Sequence, residues 1–375
     1  MRRNFIDGGL TLNRKGILIW ASGVHFLVDL ICIWMLTHQV SGSTDWYLKL
    51  LAYNFLAFAV QMPLGIIADW LASRRETRST ENIYLGTAVS GCVLMLVLLM
   101  CRTASWLTVL TAGTGNALFH VGSGAKVLEL YREKTSAPGI FVSTGALGLF
   151  AGGFLPFTVY IRGMLILVMA AALGTGVWLL RGMNESRNSQ ERGANIRKLS
   201  AKTENVSCGE AGTLARGPIL SIFFLFLVIV LRSLEGMLFQ FPWNQGIRAF
   251  LLVCMVAGGK CAGGFAADRF GSFRTAVISL GLAAVLLLCS DLWPAGLLGV
   301  LAFNMTMPVT LVQLSRRLKA APGFAFGLTT FALYLGILPV YMDKTKGLSS
   351  PAVYAGMAAA SLILIAAALR KETVT

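Results

Sequence analysis

Charge is scarce in this chain, and negative charge is scarcer. Asp, Glu, Lys and Arg make up 13% of its 375 residues, with 17 acidic side chains against 32 basic ones and only three histidines. That supply is about half what a soluble domain spreads over its surface, which excludes the ordinary water-soluble class. Motifs that carry covalent chemistry are missing too. There is no Gly-x-Ser-x-Gly elbow, no His-Glu-x-x-His and no Walker-type phosphate loop, and no polar domain large enough to hold one. The expectation is a protein that is not an enzyme, needs no cofactor and draws energy from a gradient rather than from ATP. Cys32, Cys92, Cys101, Cys208, Cys254, Cys261 and Cys289 show no CxxC spacing. They read as small apolar packing residues, with neither a disulfide framework nor a metal site.

Apolar residues fill the space that charge leaves. They account for 56% of the chain, and the mean hydropathy is +0.70. Runs long enough to cross about 30 Å of hydrocarbon as helices fall at 16–38, 46–70, 82–101, 105–130, 138–160 and 162–181. After a polar gap they resume at 217–239, 246–267, 274–290, 293–314, 322–341 and 350–370. The first run is too long for a signal-peptide core and lacks a small-x-small cleavage site, so it reads as a span. The predicted fold is an all-α membrane protein of twelve transmembrane helices in two six-helix bundles, residues 1–181 and 217–375. They are joined by a Ser-, Asn- and Arg-rich linker, 182–216, that reads as a flexible tether.

The net charge of +15 follows this map. Arg2, Arg3, Arg14 and Lys15 precede the first run, and Arg74, Arg75 and Arg78 follow the second. Arg132 and Lys134, the linker basics, Arg269, Arg274, Arg316, Arg317, Lys319, Arg370 and Lys371 fall on the same side. The other side holds only Lys49, Arg102, Arg162, Arg248, Lys344 and Lys346. By the positive-inside rule both termini are cytoplasmic, in a multi-pass protein of the cell (inner) membrane. The basic excess is topology, so no nucleic-acid partner is expected. The expected partners are the lipid bilayer, protons and a small-molecule substrate, and the expected state is a monomer.

Two stretches repeat. GIIADWLASRR (65–75) follows the second run and GFAADRFGSFR (264–274) follows the eighth, with Gly65 and Gly264, and Asp69 and Asp268, at the same offset. A glycine lets helices approach closely. A carboxylate at the membrane face then pairs with Arg or accepts from a neighbouring helix N-terminus, making a latch that forms in one conformation and breaks in another. Gly65, Asp69, Arg74, Arg75, Gly264, Asp268, Arg269 and Arg274 are the candidate latch residues. This pattern resembles the Gly-x-x-x-Asp-(Arg)-x-Gly-x-Arg-Arg loop of the major facilitator superfamily, with Trp70 and Ala72 where Arg and Gly are usual. HFLVDL (25–30), VQMPLGIIAD (60–69) and NALFHVGSG (116–124) are most similar to the branch that contains fosmidomycin-resistance exporters. Val121 and Gly122 stand where that branch often has Pro and Glu. STGALGLFAGGFLP, with Gly145, Gly148, Gly152 and Gly153, resembles the glycine-rich fifth helix of superfamily antiporters, Leu149 standing where Pro is usual. It reads as a sliding surface for rocking motion.

Ionisable residues deep in a bilayer cost about 2.5–3.5 kcal/mol each unless they face protein or water, so several together point to a central cavity. His25 and Asp29, four apart, share a helical face; with Glu235 they are the candidate proton-coupling residues. His120 and Asn116 on the fourth helix, Gln61, Arg232, Lys260 and Asn304 are the candidate substrate contacts. Lys260 matches Gln61 at the repeat offset. Alternatives stand beside these roles. His120 reads equally as a hydrogen bond between packed helices, Arg232 with Glu235 as a plain ion pair, and Lys126 as a lysine whose stem snorkels to the interface. The function that follows is a secondary active transporter using alternating access, first as a proton-coupled exporter of a small polar or anionic organic compound. A proton-coupled or facilitated importer, and a non-transporting receptor or scaffold, are the alternatives.

Overall fold

The computed structural model describes residues 2–74, 82–101, 106–198 and 216–370. Its spans are α1 (Arg14–Val40), α2 (Trp46–Arg74), α3 (Ile83–Met100), α4 (Trp106–Leu130), α5 (Ser136–Phe154) and α6 (Val159–Met183). The second set is α7 (Ile219–Leu238), α8 (Ile247–Phe270), α9 (Ser272–Leu288), α10 (Trp293–Arg317), α11 (Pro322–Tyr341) and α12 (Pro351–Leu369). Ten of these are long and apolar enough to cross a membrane. α9 is a turn short at 17 residues. α4 has the length but carries Asn116, His120, Ser123 and Lys126 in its interior. Helices suit this solvent because they satisfy every backbone N–H and C=O internally. The helix that contains α6 runs on to Lys198, so the first part of the expected tether continues as helix; 199–215 lie outside the described residues.

Two spans break, for one reason. α2 loosens into a π-turn over Phe55–Ala59 and restarts at Gln61, and α10 breaks between Asn304 and Thr306. Pro63 and Pro308 lie four residues beyond Ala59 and Asn304. A proline lacks the N–H that would bond that carbonyl, and its ring crowds it.

Each bundle has its own core, centred in the first on Val28, Ile31, Trp34 and Phe119 and in the second on Leu225, Ile229, Val300 and Phe303. Ile19, Leu167, Trp178, Ile278, Val285 and Ile363 stay exposed on the outside, as a lipid-facing belt requires. The bundles meet where α2 crosses α11 and α5 crosses α8. Both crossings are backbone against backbone: a Cβ on Gly65 would sit 2.2 Å from Gly323 O, and one on Gly264 2.8 Å from Thr135 O. At the opposite ends of these helices the bundles also touch, through Tyr47 Oη donating to Tyr341 O at 2.6 Å and through the Phe150 and Phe250 rings, 5.7 Å apart.

Candidate functional site

Above each crossing the repeated aspartate reaches across to the other bundle. Asp69, at the end of α2, accepts from Gly323 N at 2.9 Å and Phe324 N at 2.7 Å, the first amides of α11. Asp268, at the end of α8, accepts from Thr135 N at 2.6 Å and Ser136 N at 3.1 Å, where α5 begins. These amides have no partner within their own helix, and the helix dipole favours an anion there. Tyr84 Oη adds a third donor to Asp69 at 2.7 Å. Among the described residues no arginine pairs with either aspartate, and the helix N-termini alone hold them from the other bundle. Arg74 stacks over the Trp70 ring at 4.2 Å and Arg269 lies 5.6 Å from the Phe270 ring, while Arg274 is exposed beside Gly271 and Arg316. Arg75 lies outside the described residues. Backbone amides fill the carboxylates' hydrogen-bonding positions, which leaves the guanidinium groups to the aromatic faces.

The two copies part company at the turn. Gly271 ends α8 with φ +87°, a conformation that side chains resist, and the chain turns at once into α9. Ala72 at the corresponding position keeps helical backbone through Arg74.

One to two turns deeper, in the N-terminal bundle, three side chains converge. His25 Nε2 lies 3.3 Å from Asp29 Oδ2, and His120 Nε2 lies 3.5 Å from Asp29 Oδ1. The two imidazoles meet edge to face at 4.5 Å, and all three residues are buried. Asn116 Nδ2 donates to Asp29 Oδ1 at 3.3 Å and faces Cys32 Sγ at 3.7 Å; Tyr53 lies beside the same thiol. Each histidine is anchored through its other nitrogen: His25 Nδ1 donates to Phe141 O at 2.7 Å and His120 Nδ1 to Asn116 O at 2.9 Å. A carbonyl only accepts, so the Nδ1 atoms carry hydrogen and a neutral ring turns a bare Nε2 lone pair toward Asp29. Lone pairs facing a carboxylate need a proton between them. No metal site is expected from the sequence; among the described residues this is where three ligand-type atoms converge, within 4.8 Å of one another, and a shared proton satisfies the same geometry.

α5 supplies the lid of this cluster. A Cβ on Gly145 would lie 2.5 Å from both Asp29 Oδ2 and His25 Nε2, and Gly148 and Gly152 press on the carbonyls of Phe26 and Leu30 in the same way. The glycine face therefore packs on α1 inside one bundle; the bundle-to-bundle glycine of α5 is Gly139, against Lys260 O and Gly264. Phe141 and Phe326, buried and 6.1 Å apart, bridge the bundles on the latch side of the cluster.

The C-terminal bundle holds a second set. Arg232, 6% exposed, has one partner, Thr310 Oγ1 at 3.3 Å, and its Nη2 is buried without any. Glu235, fully buried, has no hydrogen-bond partner on either oxygen among the described residues. The pair is three residues apart yet makes no ion pair, because Arg232 reaches across to α10 instead. Lys260 on α8 is partly buried and within Coulombic reach of both Arg232 and Asp29. Asn304 packs beside it on Gly259 and donates to its own Val300 O. Gln61 is buried at the α2–α11 crossing, its amide donating to Ala57 O and its Oε1 unpartnered.

Lys126 does not snorkel. It is 2% exposed and bonds Glu129 at 2.7 Å. Sequence reasoning missed Tyr84, Thr310 and Tyr53, each a neutral hydroxyl whose role depends on which helix lies opposite. Gly145 serves helix packing inside one bundle rather than a sliding surface between the two.

No protein-family model matches the sequence, and no curated protein matches it. Solved structures do share the fold. FucP, a major facilitator superfamily transporter captured in the outward conformation, aligns with a TM-score of 0.61 at 12% identity, over 97% of this chain and 98% of its own. A structure of the E. coli fucose:proton symporter FucP gives 0.60 at 12% over 96% and 98%. The human organic anion transporter MFSD10 (TETRAN) gives 0.62 at 15% over 94% and 99%. Across almost its whole length, the chain has the fold of the major facilitator superfamily transporters.

Proposed function

We propose that this protein is a proton-coupled secondary active transporter of a small organic compound, working by alternating access between its two bundles. The observation that carries the reading is the buried His25–Asp29–His120 cluster, a carboxylate between two anchored imidazoles at membrane depth. Such a group is costly to place in a bilayer and is retained where a cation has to be taken up and released. The latch face is the basic one, which the positive-inside rule makes cytoplasmic. With both aspartates on their helix N-termini that face is closed, and releasing them opens it. Asn116 orients Asp29, His120 joins the proton site from α4, and Glu235 is a second proton carrier in the opposite bundle. Arg232, Lys260, Asn304 and Gln61 are the substrate-side residues. The fold shared with a proton symporter and an organic anion transporter supports this reading, as does the resemblance of HFLVDL and NALFHVGSG to the branch containing fosmidomycin-resistance exporters.

Proteoliposomes with an entrapped pH dye test it. A panel of metabolites and antibiotics is offered under an imposed pH gradient, and at least one compound is expected to move protons through the parent protein. Asp29→Asn is expected to abolish the proton signal while leaving exchange of unlabelled for labelled compound. A parent that moves compounds with no proton movement at any pH would refute the coupling.

A further inference from the structure

Arg232 and Lys260 of the C-terminal bundle have no anion among the described residues. Arg232 is more than nine-tenths buried, and its guanidinium has only the neutral Thr310 hydroxyl. Lys260 makes no hydrogen bond or ion pair among the described residues. The carboxylates that approach them do not serve. Asp29 is committed to His25, His120 and Asn116, and Glu235 contacts neither cation. A buried guanidinium left unpaired is expensive, and planar oxyanions are the partners its fork of donors fits best.

Position adds a second constraint. Lys260's main chain packs on Gly139, two residues from the Phe141 carbonyl that anchors His25, and its charge interacts with both Arg232 and Asp29, so the cations of α7 and α8 adjoin the proton site of α1 and α4 across the α5–α8 contact. Gly259 lets α8 close on α10 at Leu301 and Asn304. The charged and titratable groups around Asp29 are His25 and Cys32 on α1, Tyr53 on α2, His120 on α4 and Lys260 on α8.

We infer that Arg232 and Lys260 form an oxyanion site, that the substrate is a small organic carboxylate or phosphate ester, and that it moves together with the proton held by the His25–Asp29–His120 cluster. This rests on the proposed transport function and fixes its substrate class and the sign of its coupling. Exchange requires proton and substrate to compete for the same groups. Here they use different residues on different bundles, and a proton on the cluster and an anion on the cations attract across the contact between the bundles. By linkage each strengthens the binding of the other, by a factor in the usual range of about 5 to 150. The coupling inferred here is co-transport, where the sequence leads one to expect export by exchange.

The test separates binding from movement. Thermal stabilisation of the purified protein is titrated with succinate, glycerol 3-phosphate, acetate and, as a neutral control, glycerol, at pH 6 and pH 8. At least one oxyanion is expected to bind, about tenfold more tightly at pH 6, with no response to glycerol. Arg232→Gln and Lys260→Gln are expected to lose that response and Arg232→Lys to keep part of it, while Asp29→Asn binds with no pH dependence. Succinate against glycerol 3-phosphate decides between carboxylate and phosphate ester. Equal binding of glycerol, oxyanion binding unchanged in both glutamine variants, or tighter binding at pH 8 overturns the inference. If proteoliposomes carry a neutral compound with protons but no oxyanion binds, this inference falls and the transporter reading stands. If oxyanions bind as described but nothing crosses the membrane, the site stands and the transporter reading falls.

Discussion

In the N-terminal bundle Asp29 has a neighbour at every oxygen and each neighbour is itself anchored, whereas in the C-terminal bundle Arg232 and Glu235 are just as deeply buried and lack them. Both bundles carry the burden of charge in a membrane. One bundle settles it internally, as a folded protein does for a group it must hold still. The other leaves it open, which a fold tolerates only where something from outside completes the set. The contrast separates a site that keeps its occupant from a site that waits for one.

Stability measurements break or sharpen that contrast directly. The largest effect is expected at Asp29→Asn, which removes the carboxylate that shares a proton with the two imidazoles and destabilises the purified protein by about 3 kcal/mol, read from thermal unfolding in detergent. A neutral result would mean the cluster is not settled internally at all. Asp268→Asn comes next. It weakens two charge-assisted hydrogen bonds, together about 2 kcal/mol, and is expected to raise maleimide labelling of an Ala137→Cys reporter beside the latch at least tenfold. Unchanged labelling would show that the α5–α8 crossing holds without its carboxylate. Arg232→Met is expected to move the other way, stabilising the protein by about 1 kcal/mol while removing oxyanion binding; marked destabilisation would show that the guanidinium already has its partner. The smallest effect belongs to Arg74→Gln. Its contact with Trp70 is exposed, so stability should shift by no more than about 0.5 kcal/mol, with reporter labelling unaltered. Behaviour like that of Asp268→Asn would return the arginines to the latch.

What could be read in advance followed the range of the interaction. Helix count comes from local composition, and the repeated aspartates from a motif that occurs twice. His25 and Asp29 were readable as a pair because four residues on a helix bring them together. That His120 completes the cluster depends on how α4 turns against α1, which no spacing encodes. The glycines of α5 were visible, but a Cβ-free face does not say which helix it faces; Gly145, Gly148 and Gly152 chose α1, and Gly139 chose α8. Arg232 and Glu235 misled for the same reason, since their spacing permits an ion pair that Thr310 on α10 draws the guanidinium away from.

The latches grip main chain rather than side chains, and this affects how the protein can drift. At Thr135, Ser136 and Phe324 the aspartates ask only for an N–H, which any residue but proline provides. Those positions are free to change without a matching change at Asp69 or Asp268. Two halves held this way keep their register while leaving no trace of paired substitutions, so a search for positions that vary together would pass over the contact that joins them.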